Sequence, residues 1–258
     1  MNRCPITFLV LALLAAAAQA ADRDTIYQTA PIDALLVGVY DGDYAVGDLK
    51  QHGDMGVGTL NALDGELVCV DGRMFQVRVD GKVYPVPDSA LTPFAVMTWL
   101  DRDIVLKAVS ATSLDEFCRI MDRSLPSANL FFAFRADGEF DYVRTRSVSK
   151  QQKPYRPLVE VAKEQAVFEF KHVKGTLVGF RCPAFVKGIN VPGYHLHFLT
   201  EDRQGGGHVL DLRVTGLDVA LDPSDSIYLA LPRQGDFNSA DLSGDRQQEL
   251  RRVESAPK

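Results

Sequence analysis

Tyr194-His195-Leu196-His197-Phe198, followed after a polar, glycine-rich stretch by Gly206-Gly207-His208-Val209, holds three of the chain's five histidines within fourteen residues. Successive side chains of a strand point to opposite faces, so His195 and His197 share one face while Leu196 and Phe198 take the other. Thr200 to Gly207 reads as a reversal into a second strand, His208 to Val214, which returns a third imidazole alongside the first two. A lone His-x-His pair is as often a hydrogen-bonded, partly buried pair as a metal site; the third histidine beyond the turn favours the metal. Three His ligands leave a divalent ion with open positions, as in catalytic zinc centres, whereas structural sites are closed by four ligands and favour cysteine. Imidazole also suits copper, nickel and iron, so the donor set by itself leaves the metal open.

Outward from this hairpin the chain is mostly strands joined by Gly/Asp turns. Glu66 to Val70, Arg73 to Val79 and Lys82 to Val86 are dense in Val, Phe and Tyr and are separated by Asp71-Gly72 and Asp80-Gly81, a hairpin signature used twice. Phe94 to Trp99 and Asp103 to Val109 read as further strands, and Asn129 to Phe134 with Glu139 to Val148 as another hairpin about Ala136-Asp137-Gly138. Beyond a polar connector, Ser149 to Arg156, strands are expected at Val167 to Lys171, Thr176 to Cys182, His195 to Leu199, His208 to Gly216 and Ile227 to Leu231. Three short helices are expected. Pro31 opens one running to Tyr40, Ser113 caps an amphipathic one to Arg123, and the charged tail from Ser239 to Glu254 has Asp241 and Asp245 early and Arg251 and Arg252 late, as the helix dipole prefers. The fold class is therefore α+β: two β-sheet layers or domains of mixed and antiparallel strands with few short helices, divided at the connector into residues 21–150 and a metal-binding unit with a helical tail, residues 151–258.

Residues 1–20 read as a leader. Arg3 supplies the positive start, Pro5 to Ala18 an apolar run too short to span a membrane, and Ala18-Gln19-Ala20 a cleavage site. An exported location, periplasmic or secreted, follows. Removing the first 20 of 258 residues leaves 238, enough to bury a substantial core, and since Arg3 is the leader's one charge the net −6 becomes −7. No basic patch points to nucleic acid and no basic amphipathic helix to a membrane surface. Cys69, Cys118 and Cys182 are widely spaced among apolar neighbours and read as buried free thiols.

Three segments, in order, resemble the alpha-acetolactate decarboxylase family: Gly58-Thr59-Leu60-Asn61-Ala62-Leu63-Asp64-Gly65-Glu66, Arg144-Thr145-Arg146-Ser147-Val148, and Lys187-Gly188-Ile189-Asn190-Val191-Pro192-Gly193-Tyr194-His195-Leu196-His197-Phe198 running on to Gly206-Gly207-His208-Val209-Leu210-Asp211. The last is long and specific. The resemblance implies conversion of 2-acetolactate to acetoin and carbon dioxide, with a divalent metal, usually Zn2+, on His195, His197 and His208. It also implies functional roles for Glu66, Thr59, Arg146 and, from the tail, Glu254, and it favours a homodimer.

The chemistry fits. Loss of carbon dioxide from a 2-hydroxy-3-oxo acid leaves an electron pair that the adjacent ketone accepts as an enediolate; a metal stabilises it, Arg146 pairs with the carboxylate or oxyanion, and Glu66 or Glu254 returns a proton to one face. Taken singly, each residue has an ordinary alternative: Glu66 a solvated strand end, Arg146 an exposed ladder charge, Thr59 a turn hydroxyl, Glu254 part of a frayed tail. Two other readings share the histidines. One is a zinc hydrolase or lyase of another small carbonyl substrate, although no His-Glu-x-x-His or Gly-x-Ser-x-Gly is present; the other is an exported β-rich binding protein with a structural metal.

Overall fold

The computed structural model describes residues 23–254. The leader expected over residues 1–20 lies outside them. The first part of the chain gives β1 (Thr25–Thr29), α1 (Ile32–Leu36), β2 (Tyr44–Ala45), α2 (Val46–Leu49), β3 (Met55–Thr59), β4 (Glu66–Val70), β5 (Arg73–Val77), β6 (Val83–Pro85), β7 (Leu91–Thr92), β8 (Phe94–Thr98) and β9 (Ile104–Ala111). There follow α3 (Leu114–Ser124), β10 (Phe131–Ser147), α4 (Leu158–Val161), β11 (Ala166–Cys182), β12 (Gly193–Thr200), β13 (Gly206–Ser224), β14 (Ser226–Ala230) and α5 (Gln247–Glu254). Among the described residues no helix is long and apolar enough to cross a membrane.

Two sheets carry the fold, as expected. The first has seven strands in the order β14-β1-β8-β3-β4-β5-β6, antiparallel except that β14 runs parallel to β1. The second has the order β10-β11-β12-β13-β9, and β13 also pairs with β10, so four strands close into a ring. The β4–β5 hairpin turns on Asp71 and Gly72, both at positive φ (52° and 68°), the backbone that a two-residue turn matching the sheet twist demands. Ser113 caps α3 by accepting from Glu116 N at 3.2 Å.

Side-chain alternation on the ring strands sorts the core in two. Phe131, Ala133, Val178, Phe180 and Leu199 pack against Ile26, Val57, Val68 and Val96 of the seven-stranded sheet. Phe132, Phe134, Leu177, Leu196 and Phe198 point the other way and pack with Phe117 and Met121 of α3. His195 and His197 share the parity of Leu199, so they face the seven-stranded sheet from across the main core.

The structure departs from the sequence reading at several points. Ala136-Asp137-Gly138 is not a turn: β10 runs unbroken through it, Asp137 opposite Thr176 and Gly138 opposite Gly175. The Asp137 carboxylate, which would have closed a local turn, instead accepts from Arg135 Nε at 2.8 Å and Thr176 Oγ1 at 2.9 Å, and continuous pairing with β11 overrides the local signal. The strands expected at Val167 to Lys171 and Thr176 to Cys182 are likewise one strand, β11. The tail helix begins only at Gln247, with Asp245 Oδ1 accepting from Gln247 N at 3.0 Å; Asp241 lies before it. The connector at 149–156 does not separate the sheets, because β10 precedes it yet belongs to the ring, and β14 follows it yet belongs to the first sheet. Cys69 and Cys182 are buried free thiols, and Cys118 is only half-buried.

Candidate active site

Cross-strand register gathers the histidines and the arginine into a row. His197 on β12 pairs with His208 on β13, and His208 pairs with Arg146 on β10. Directly paired residues project from the same face, so all three look toward the seven-stranded sheet, with His195 two residues before His197 on that face. A bulge makes this register. Between Arg144/Asp211 and Thr145/Val209 one extra residue enters β13, which shifts the pairing so that Arg146 meets His208. The same bulge lets Val209 and Leu212, three residues apart, share one apolar cluster while His208 faces away from it. Gly207, at φ +130°, admits the close approach of β10: a Cβ there would lie 2.4 Å from the Arg146 carbonyl oxygen.

The seven-stranded sheet presents a facing row, Phe94, Thr59 and Glu66, paired across β8, β3 and β4. The two rows meet. Glu66 Oε1 accepts from Arg146 Nη1 at 2.8 Å, with both side chains under one-tenth exposed, and Glu66 Oε2 lies 3.7 Å from His197 Nε2. Leu250 and Val253 dock α5 into the core, and the same helical face brings Glu254 Oε2 to 3.6 Å from His208 Nε2. These groups border a small cavity of about 30 Å³ lined by Thr59, Glu66, Arg146, His195 and Glu254 together with apolar side chains from α1, α4 and the strands.

A divalent metal fits the three imidazoles. Their ligand atoms lie within 4.8 Å of one another, and all three side chains are buried. His195 Nδ1, His197 Nε2 and His208 Nδ1 are buried with no hydrogen-bond partner, one orphaned nitrogen per ring. His197 Nδ1 sits 2.9 Å from the Leu67 carbonyl; donating its proton there fixes the tautomer and leaves the Nε2 lone pair for an ion. Burial, seconded by the Arg146 charge, pushes His195 down to about 3, and burial with its charged and imidazole neighbours holds His197 and His208 well below the usual range. All three are thus neutral, as ligands must be.

The carboxyls move upward. Burial raises Glu66 while Arg146 opposes it. Burial raises Glu254 to about 7, Arg146 opposing and Glu66 adding. Arg146 Nε and Glu254 Oε2 are buried without partners, which leaves one donor and one carboxyl oxygen uncommitted.

The turn joining the β3 and β4 ends of this row is strained. Ala62 and Leu63 lie at φ 61° and 53°, the left-handed region, at a cost of roughly 1–2 kcal/mol each for non-glycine residues. Hydrogen bonds pin it on every side: Ala62 N donates to Tyr40 O at 2.8 Å, Gln151 N to Ala62 O at 2.7 Å, and the Asn61 side chain pairs with the Gly42 backbone at 2.9 and 3.0 Å. Thr59 Oγ1 donates to Gly65 O at 2.6 Å, so its proton is spent closing this turn.

All seven side chains expected to act, Thr59, Glu66, Arg146, His195, His197, His208 and Glu254, are buried or nearly so and converge here. His52 stacks on Tyr27 elsewhere. Sequence reasoning missed the apolar wall of Ile32, Leu35, Leu63, Phe94, Val148 and Leu158, and the Leu67 carbonyl. Val148 was within reach, standing two residues beyond Arg146 at the end of the strand expected over Glu139 to Val148. Leu63 stood inside a segment already singled out. Nothing in the sequence marked the rest.

Residues 26–244 match the family model for alpha-acetolactate decarboxylase. The chain is 49% identical over 231 residues to the alpha-acetolactate decarboxylase of Methanosarcina mazei, covering 90% of this chain and 80% of that protein. It is 41% identical over 233 residues to that of Bacillus subtilis strain 168, covering 90% and 91% respectively. The crystal structure of alpha-acetolactate decarboxylase from Bacillus subtilis strain 168 is similar with a TM-score of 0.88 at 40% identity, over 90% of this chain and 100% of that one.

Proposed function

The chain belongs to the alpha-acetolactate decarboxylase family, a carboxy-lyase that forms acetoin, and from that premise we propose that it works through a zinc ion held by His195, His197 and His208. The observation that carries this is the clustering of three buried imidazoles, each with an orphaned nitrogen, beside Glu66 and Glu254 and next to a small cavity that His195 and Arg146 line. When bound, the ion supplies a Lewis acid beside the substrate oxygens that gain charge.

The chain's own groups account for the remaining steps. The unpartnered Nε of Arg146 offers a donor to the substrate carboxylate, which a guanidinium matches in a forked geometry. Glu66 holds the guanidinium in place through the 2.8 Å ion pair. The bond to the carboxylate breaks, its electron pair enters the neighbouring carbonyl, and carbon dioxide leaves an enediolate. Apolar walls limit water, so protonation falls to a positioned acid. Glu254 fits that role better than Glu66: one of its oxygens has no partner, and burial keeps its proton near neutrality. Thr59 positions rather than reacts, because its hydroxyl proton fastens the turn between the two active strands.

The test is acetoin release from racemic 2-acetolactate by the purified chain, before and after chelation and with zinc restored. Loss on chelation and recovery with zinc is expected; full activity in metal-free protein would remove the metal from the mechanism. Export and assembly as a homodimer belong to the same proposal. They are tested by N-terminal sequencing, expected to start after Ala20, and by light scattering.

A further inference from the structure

The substrate carries its carboxylate and hydroxyl on one carbon, and the polar groups of the cavity lie on the side of Arg146 and the histidines. The alkyl group on that carbon must then turn to the apolar wall. Most of that wall belongs to regular elements whose positions follow from packing: Ile32 and Leu35 on α1, Phe94 on β8, Leu158 on α4. Leu63 is different. It lies in a non-repetitive turn, at φ 53° next to another non-glycine residue at φ 61°, with its side chain 2% exposed. A conformation this unfavourable persists only where surroundings over-determine it, and such outliers gather at functional sites. The clamps are the Tyr40, Gln151, Asn61 and Thr59 hydrogen bonds described above.

We propose that Leu63, held against the cavity by this strained turn, sets the size of the alkyl group accepted on the carbon that loses carbon dioxide. The proposal rests on the decarboxylase reading and adds a specificity determinant to it. Leu63 lines the cavity beside Thr59, Glu66 and Arg146, so a longer alkyl group on that carbon meets its side chain. The strain gives a rigid stop where a relaxed loop would yield.

The experiment measures kcat/KM for homologues bearing methyl, ethyl or propyl on that carbon, with wild type, Leu63→Ala and Leu63→Gly, and with Leu158→Ala as a general widening of the same cavity. Glycine suits positive φ, so Leu63→Gly carries the test if Leu63→Ala does not fold. Zinc content is measured in each. The expected result is a rise of about tenfold or more in the propyl-to-methyl ratio for the Leu63 variants, zinc content unchanged, and a smaller rise for Leu158→Ala. An unchanged ratio, or an equal rise in Leu158→Ala, overturns the proposal. Failure of wild type to decarboxylate the methyl substrate would instead strike the underlying reading.

Discussion

Replacing Arg146 by methionine keeps most of the side-chain volume and removes the charge. In the folded chain Arg146 Nη1 lies 2.8 Å from Glu66 Oε1, with the side chains 6% and 7% exposed. At an effective dielectric of about 20, unit charges that far apart attract by about 6 kcal/mol, and desolvation cancels several kcal/mol of it. The cost of Arg146→Met is therefore the cost of abandoning Glu66, buried, uncompensated and 3.7 Å from His197, which is about 3–5 kcal/mol. Protonation of Glu66 is the escape route, and burial already favours it, which keeps the loss within this range. The assay is urea unfolding of chelator-treated protein, so that altered metal affinity does not enter. The double variant Glu66→Gln/Arg146→Met removes both charges of the pair and is expected to recover at least about 2 kcal/mol of the deficit. A single-variant loss under about 1 kcal/mol, or a double variant as unstable as the two singles summed, would refute the buried pair as the linchpin between the two sheets.

Zinc at a hundredfold excess over its dissociation constant should stabilise the wild type by about 2.7 kcal/mol, seen as a raised melting temperature, and His208→Ala should abolish that response; an unaltered response would show that His208 is no ligand. Glu254→Gln should lower kcat by roughly 10²–10⁴-fold with zinc content unchanged, and undiminished turnover would take the proton transfer away from Glu254. Asp222 lies outside the site, fully buried at the end of β13, its Oδ2 accepting from Asp101 N at 2.8 Å and its Oδ1 without a partner. Burial pushes its carboxyl from 3.8 up to about 7. As pH rises the unfolded chain gives up this proton first, so the native state is penalised increasingly from about pH 4 through about pH 7. Asp222→Asn should thus melt higher than wild type at pH 8, the gap closing by pH 4; a gap that ignores pH would rule this out.

Legibility followed the range of the forces involved. The β4–β5 hairpin and α3 were readable because Asp71-Gly72 and the Ser113 cap act within a few residues. His195 and His197 were readable because strand alternation needs no tertiary information, and His208 because a short turn links it to them. Asp137-Gly138 misled because the same dipeptide that closes a hairpin is, here, held extended by partners on β11 and by Arg135. The bulge that turns His208 toward the sheet, the Leu67 carbonyl that fixes His197, and the apolar wall from α1 and α4 all depend on segments far apart in sequence. No local pattern encodes them. Glu66, Arg146 and Glu254 were reached through the resemblance of whole segments, since each residue alone has a common surface explanation.

The exchange of strands between the sheets, β10 lent forward to the ring and β14 returned to β1, bears on how the molecule comes apart. Neither sheet can be completed from one half of the sequence, and Thr25 pairs with Ser226 across two hundred residues. Such long-range pairing slows folding, because loop closure must precede its reward. It also binds the two layers into one cooperative unit. Heating should give a single transition with coincident loss of secondary structure and aromatic environment, and fragments divided near residue 150 should fold only when mixed, since each carries strands that the other's sheet lacks.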